Sequence, residues 1–149
     1  MTVTFREITR ENFKECLRLK VRADQPFVAP NVHSLALSKV APEFLPFGIY
    51  ADEVMVGFIM YACFYEQKKL YLCRFMIDAQ YQHKGYGKAA LDLLKQIAMD
   101  DPGIDYMELS TAPDNAYGIR IYEKFGFKDT GVLDEDEEVF VLDLDKKSS

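Results

Sequence analysis

Histidine and cysteine are scarce in this chain, and the few present are not spaced to hold a metal. His33 and His83 are the only histidines, and Cys16, Cys63 and Cys73 are odd in number and form no C-x-x-C pair. That argues against a structural zinc site and against a disulfide framework, so no metal is expected and the thiols read as reduced core filler. No apolar run reaches membrane-spanning length, and residues 1–19 carry charges throughout, so neither a signal peptide nor a membrane helix is expected, and the location expected is cytoplasmic. Basic excess is also missing: 18 Lys and Arg face 24 Asp and Glu, a net charge of −6, which speaks against nucleic acid and suits a cationic partner. Repeats, linkers and low-complexity segments are absent. With 149 residues, 49% of them apolar, the chain is expected to fold as one domain over 1–149.

What is present is organised around residues 70–98. An apolar run from Leu70 to Ile77 leads into a polar turn, Gln82-His83-Lys84-Gly85-Tyr86-Gly87-Lys88, and then into a helical pattern with Ala90, Leu91, Leu94, Ile97 and Ala98 on one face. At such a junction the first helical N–H groups lack intrahelical partners and lie at the positive end of the helix dipole, and glycine lets a ligand come close. A phosphate is the natural guest. A Walker loop is excluded, since position 82 is Gln and Lys88 is followed by Ala89. Gly85, Gly87 and Ala90 fit a dinucleotide G-x-G-x-x-A fingerprint with Glu108 downstream. Gln82, Gly85 and Gly87 also meet Gln-x-x-Gly-x-Gly, which resembles the pyrophosphate-binding signature of the GNAT superfamily of acetyl-CoA-dependent N-acetyltransferases.

The order of elements separates these two. Residues 3–8 alternate as a strand; Thr9 is placed to cap a helix with Phe13, Cys16, Leu17 and Val21 as its stripe; two prolines then interrupt, and a second helix is expected over 32–40. Residues 47–51 and 54–65 read as a hairpin about Asp52 and Glu53, with Gly57 marking either a bulge or a tolerated strand position. The strand from Leu70 and the helix ending near Asp100 follow, and Pro102 and Gly103 break the chain before a strand over 106–111. A helix over 115–125 stops at Gly126, and strands over 127–132 and 139–144 flank an acidic turn, Asp134 to Glu138. A dinucleotide fold wants its fingerprint in the first βαβ unit, and here it comes late. The predicted class is α/β (α+β): a mixed, mostly antiparallel sheet of about seven strands with four helices. Its order is strand, two helices, three strands, helix, strand, helix, two strands, which matches the GNAT order.

A second group of residues strengthens the resemblance. Asn115, Ala116, Ile121 and the run Tyr122-Glu123-Lys124-Phe125-Gly126-Phe127 are similar to the other GNAT signature, with Gly118 where the family usually has alanine, a small-for-small change. On one helix Asn115 and Tyr122 are about 10 Å apart along the axis. The resemblance implies that backbone groups of Phe75, Met76 and Ile77 pair with the pantetheine arm of acetyl-CoA and polarise its carbonyl. It further implies that Gln82, His83, Lys84, Gly85, Tyr86, Gly87 and Lys88 hold the pyrophosphate, that Asn115 and Lys124 help, and that Tyr122 is the general acid for the departing thiolate. Freeing the lone pair of a primary ammonium at pH 7 costs roughly 4–5 kcal/mol, so a base or an acidic-lined water path is expected. Residues 70–77 hold no carboxylate; Glu108 is the candidate, and a covalent route through Cys73 lacks a histidine beside it.

Within the superfamily the substrate side, with Phe27, Val28, Ala29, Asn31, Ser34, Leu35 and Ala36 and then Pro46, Phe47, Gly48 and Tyr50, resembles bacterial spermine/spermidine acetyltransferases. The acceptor implied is a polyamine, with an aminoglycoside, a protein amine or a small metabolite amine as alternatives. Asp24, Glu43, Tyr50, Phe64, Tyr65 and Glu66 are the candidate groove residues, and a homodimer is expected. A different class of function, a non-catalytic acyl-CoA-binding domain, would be marked by loss of Tyr122 or of the glycine turn.

Overall fold

The computed structural model describes residues 2–20 and 31–146; Asp24, Val21 and the proline-interrupted stretch with Phe27, Val28 and Ala29 lie outside the described residues. Seven strands form one mixed sheet: β1 (Val3–Glu7), β2 (Leu45–Ala51), β3 (Val54–Phe64), β4 (Lys69–Ile77), β5 (Tyr106–Thr111), β6 (Lys128–Asp134) and β7 (Glu137–Asp143). Their spatial order is β1-β2-β3-β4-β5-β7-β6, with β4 and β5 the one parallel pair. The helices are α1 (Phe13–Arg18), α2 (Asn31–Val40), α3 (Tyr86–Asp100) and α4 (Ala116–Phe125). This is the architecture the element order predicts.

Both faces of the sheet carry a core. On one, α3 buries Ala90, Leu91, Leu94 and Ala98, and α4 packs Ile119, Ile121, Tyr122 and Phe125, against Leu70, Leu72, Ile77, Met107 and Leu109. On the other, Cys16 of α1 and Leu35 and Leu37 of α2 meet Tyr50, Met55, Phe58, Met60 and Met76. β3 is buried on both sides, which is why it reads as an almost unbroken apolar run. Gly57 on this strand has a steric reason: a Cβ there would sit 2.3 Å from the Met76 carbonyl oxygen. The register shift falls beside it, between Ile49 and Tyr50.

The first helix is shorter than its stripe suggests. Thr9 does not cap it; Asn12 stands at the N-cap, and its Oδ1 accepts from the Thr9 N–H at 2.7 Å instead of from the helix. Only Cys16 is buried, while Phe13 and Leu17 remain exposed. The acidic turn is also tighter than expected. Glu135 and Asp136 alone form it, both with positive φ (49° and 69°), as a two-residue hairpin turn whose twist suits the flanking strands.

Two irregularities position the site. The β3–β4 register slips between Met60, opposite Arg74, and Tyr61, opposite Leu72, so Cys73 is the extra residue of a bulge in β4. The slip turns Phe75 and Ile77 toward the α3 core and Met76 toward the α1–α2 core. At the same level β4 parts from β5: their last paired residues are Leu72 and Leu109. The β5-facing edge of β4 from Cys73 to Ile77 therefore opens on a wedge-shaped gap between two parallel strands.

Candidate active site

The gap is entered from both sides. One cleft, lined by Phe75, Ile77, Gln82, His83, Gly87, Asn115, Tyr117 and Tyr122 among others, runs between the start of α3 and α4. A second, lined by Tyr71, Cys73, Arg74, Ser110, Thr111 and Glu137 among others, lies across the sheet. Phe75, Asn115 and Tyr122 line both, so the two clefts meet at these side chains through the split between β4 and β5.

The start of α3 offers open N–H groups and positive potential, the features an anion would need. Gly85 is the N-cap, with φ 88°, and has no side chain to satisfy the first helical N–H groups. This is the positive end of a 15-residue helix whose first turn carries no acidic side chain. The two glycines serve different purposes. Gly85 needs its left-handed φ, whereas a Cβ on Gly87 would make only ordinary contacts, 3.7 Å from Ile77 and Phe75. The protein does not need glycine at 87 for its own packing, and the space saved opens on the cleft. Gln82 holds the turn to the strand: its Nε2 donates to the Ile77 carbonyl at 2.9 Å. Of the backbone groups expected to face a pantetheine arm, the Ile77 carbonyl is therefore already engaged. Met76 and Tyr86 line the same cleft, while Lys84 is exposed beside the turn; Lys88 is exposed and 2.9 Å from Asp92.

Asn115 is the N-cap of α4 and not a residue within it. Its Oδ1 accepts from the Gly118 N–H at 3.1 Å, and its Nδ2 donates to Thr111 Oγ1 at 2.8 Å. Gly118 is what makes room for this: a Cβ there would lie 2.5 Å from Asn115 Nδ2. The small-for-small reading of glycine against alanine at 118 thus misses a steric demand. Tyr122, one turn further on, packs its ring edge-on against Phe127 at 6.0 Å and tilted against Phe75 at 6.5 Å. Its hydroxyl has no hydrogen-bond partner among the described residues, and burial pushes its pKa up to about 12. At neutral pH it is therefore the protonated phenol. Lys124 is exposed in the last turn of α4, outside the residues lining either cleft.

Glu108 does not line the gap. It lies on the closed side of the split, opposite Tyr71 in β4, and its Oε2 is 2.9 Å from Lys69 Nζ. Around it is a shallow trough shared with β6 and β7. Cys73 does line the second cleft, but burial raises its thiol pKa more than the Arg74 charge lowers it, so it is no ready nucleophile. The carboxylate that the second cleft contains is Glu137, whose Oε1 accepts from Ser110 Oγ at 3.1 Å.

The expected groove residues do not converge. Tyr50 is buried, holds Asn12 Nδ2 at 3.1 Å and has Arg6 over its ring at 4.3 Å. Tyr65 is exposed and donates to Asp101 Oδ2 at 2.8 Å, beyond the C-terminal end of α3 and about 22 Å of helix away from the glycine turn. Phe64 packs edge-on against Phe44, and Glu43 and Glu66 are exposed in turns. The legible signal for Glu137 was the acidic run itself, longer than a two-residue turn requires.

Residues 5–127 match the model of the Acetyltransferase (GNAT) family, and the chain belongs to that family; it is a GNAT N-acetyltransferase. It is 32% identical to the spermine/spermidine N(1)-acetyltransferase of Bacillus subtilis strain 168, over 97% of this chain and 100% of that protein. The fold is similar to that of the PaiA N-acetyltransferase of Thermoplasma acidophilum in complex with coenzyme A, with TM-score 0.71, 20% identity and coverage of 97% and 100% of the two chains. It is also similar to the spermidine N-acetyltransferase of Vibrio cholerae in complex with CoA and spermine, with TM-score 0.69, 16% identity and coverage of 93% and 92%.

Proposed function

We propose that this chain transfers the acetyl group of acetyl-CoA to a primary amine of a polyamine, spermidine or spermine, by direct attack with both substrates bound. The observation that carries the reading is the meeting of the two clefts at Phe75, Asn115 and Tyr122, which lets an acyl donor and an amine arrive from opposite faces of the sheet. Similarity along almost the whole chain to a protein named for spermine and spermidine supports the choice of amine.

The residues fit the donor. The open first turn of α3, kept clear at Gly87, suits a pyrophosphate; the unpaired edge of β4 at Phe75 and Met76 suits the amides of the pantetheine arm. Backbone N–H groups on that edge stabilise the carbonyl oxygen as it gathers negative charge. Tyr122 gives its proton to the leaving sulfur. A phenol near 12 is a weaker acid than an ordinary thiol, but the groove that desolvates the phenol also desolvates the thiolate and raises its proton affinity. Asn115 acts by fixing the start of α4, and Gln82 by fixing the turn. Supporting a cationic acceptor, the Asp134–Glu138 hairpin places Glu137 in the lining of the second cleft, where Arg74 is the one cation among the described lining residues.

A thermal-shift panel tests the donor half. Coenzyme A or acetyl-CoA at 100 times its Kd adds about 2.7 kcal/mol, a rise of roughly 5–10 °C for a chain of this size, and NAD adds none. With acetyl-CoA and spermidine together, acetylated spermidine should appear by mass spectrometry. A shift with NAD alone, or no acetylated amine, would contradict the reading.

A further inference from the structure

Glu137 stands where a base is needed and Glu108 does not. In the β5–β7 ladder Thr111 pairs with Glu138, so Glu137 is level with the residue after β5 ends, beyond the last β4–β5 pair and at the open end of the split. Among the described residues lining the two clefts it is the one carboxylate. A chain of hydroxyls leads to it: Tyr71 Oη and Ser110 Oγ are 3.0 Å apart, and Ser110 Oγ donates to Glu137 Oε1 at 3.1 Å. A serine hydroxyl has one proton, which is committed to Glu137, so Tyr71 is the donor to Ser110. Burial of the Tyr71 phenol, which raises its pKa, keeps that proton in place. Both hydroxyls thus point their protons toward the carboxylate, while Glu108 is neutralised by Lys69.

We propose that Glu137 is the proton acceptor for the attacking amine, held at the mouth of the second cleft by the positioning residues Ser110 and Tyr71. The inference rests on the reading that the chain acetylates an amine, and names the base which that reading requires. A primary ammonium must lose two protons on becoming an amide. Glu137 accepts the first, which frees the lone pair for attack on the thioester carbon, and its exposed side passes that proton to water. As the nitrogen–carbon bond forms and the carbon–sulfur bond breaks, the nitrogen sheds the second proton. Tyr122 supplies one to sulfur and is restored by that second proton. The balance is one amide, one thiol and one proton released.

The test compares amines of different basicity. For Glu137→Gln, kcat/KM on the amine that the wild-type enzyme uses fastest should fall about 100-fold, with coenzyme A affinity and melting temperature unchanged. On a fluorinated primary amine that is mostly neutral at the assay pH, the loss should shrink below about 10-fold, because little base is needed. Added formate should restore activity to Glu137→Ala in a saturable way. Reading the ratio on the fastest amine keeps the result independent of whether that amine is a polyamine. An equal loss on both amines would mark Glu137 as merely structural, and an amine-dependent loss in Glu108→Gln but not in Glu137→Gln would move the base to Glu108. Either result overturns the proposal.

Discussion

At Tyr122 a single hydroxyl separates packing from chemistry. The ring is fixed by Phe75 and Phe127, so Tyr122→Phe keeps the packing and removes only the proton. Turnover should fall by roughly 100-fold while KM for acetyl-CoA holds, and an unchanged kcat would make Tyr122 a packing residue. The phenol near 12 also sets a pH dependence. The acid form is present below that value, so no falling limb should appear before about pH 10, whereas the acceptor ammonium near 10.4 loses its proton as pH rises. In Glu137→Gln, which must wait for an amine already neutral in solution, the logarithm of kcat/KM should climb by about one per pH unit between 7 and 9, more steeply than in the wild type; in the wild type, a decline centred below 9 would show that some other, more acidic donor is in use. Gly118 makes a purely structural prediction. Alanine there displaces the Asn115 side chain, so Gly118→Ala should cost about 1–2 kcal/mol through the lost cap, measured by denaturant unfolding.

Among the elements, α3 and β4 carry the proposed donor site, and their irregularities matter more than their length. Gly87→Ala separates folding from binding. A Cβ fits the apo packing and alanine is the better helix former, so stability should stay level or rise by roughly 0.5–1 kcal/mol while coenzyme A affinity falls. Loss of stability with affinity kept would move the ligand away from this turn. The strand–turn–helix of residues 70–98 was legible because strand and helix periods and two glycines coincide within one segment. The bulge at Cys73 was not, since it depends on register against β3 and leaves no local mark in the apolar run. Thr9 was a reasonable cap by residue type, but Asn12 reaches back to the Thr9 N–H and starts the helix later. Asn115 is expected within its helix and instead caps it, because capping by Asn is decided by φ/ψ at one residue.

For the molecule as a whole, the two faces of the sheet divide the labour. In the proposed reaction the α3–α4 face takes the donor, and the split in the sheet leads to Glu137 of the acidic hairpin on the other side. Sequence order foretold the sheet because each element announces its own period, whereas the acceptor side is assembled from residues distant in sequence. Tyr71, Ser110 and Glu137 come together only through the β4–β5–β7 pairing, and the acidic run that holds Glu137 does not single it out. Tyr50 and Tyr65 were chosen as aromatic walls, yet one serves the core and the other the far end of α3. The net charge of −6 favours a cationic acceptor at a distance, and that attraction weakens as salt screens it. The measurement that tests the central claim most directly is thiol release from acetyl-CoA by the wild-type enzyme, across spermine, spermidine, an aminoglycoside, a lysine peptide and a simple monoamine. Spermine and spermidine should give the highest kcat/KM, with KM rising as salt is added; polyamines that are inert while a monocationic amine turns over well would contradict it.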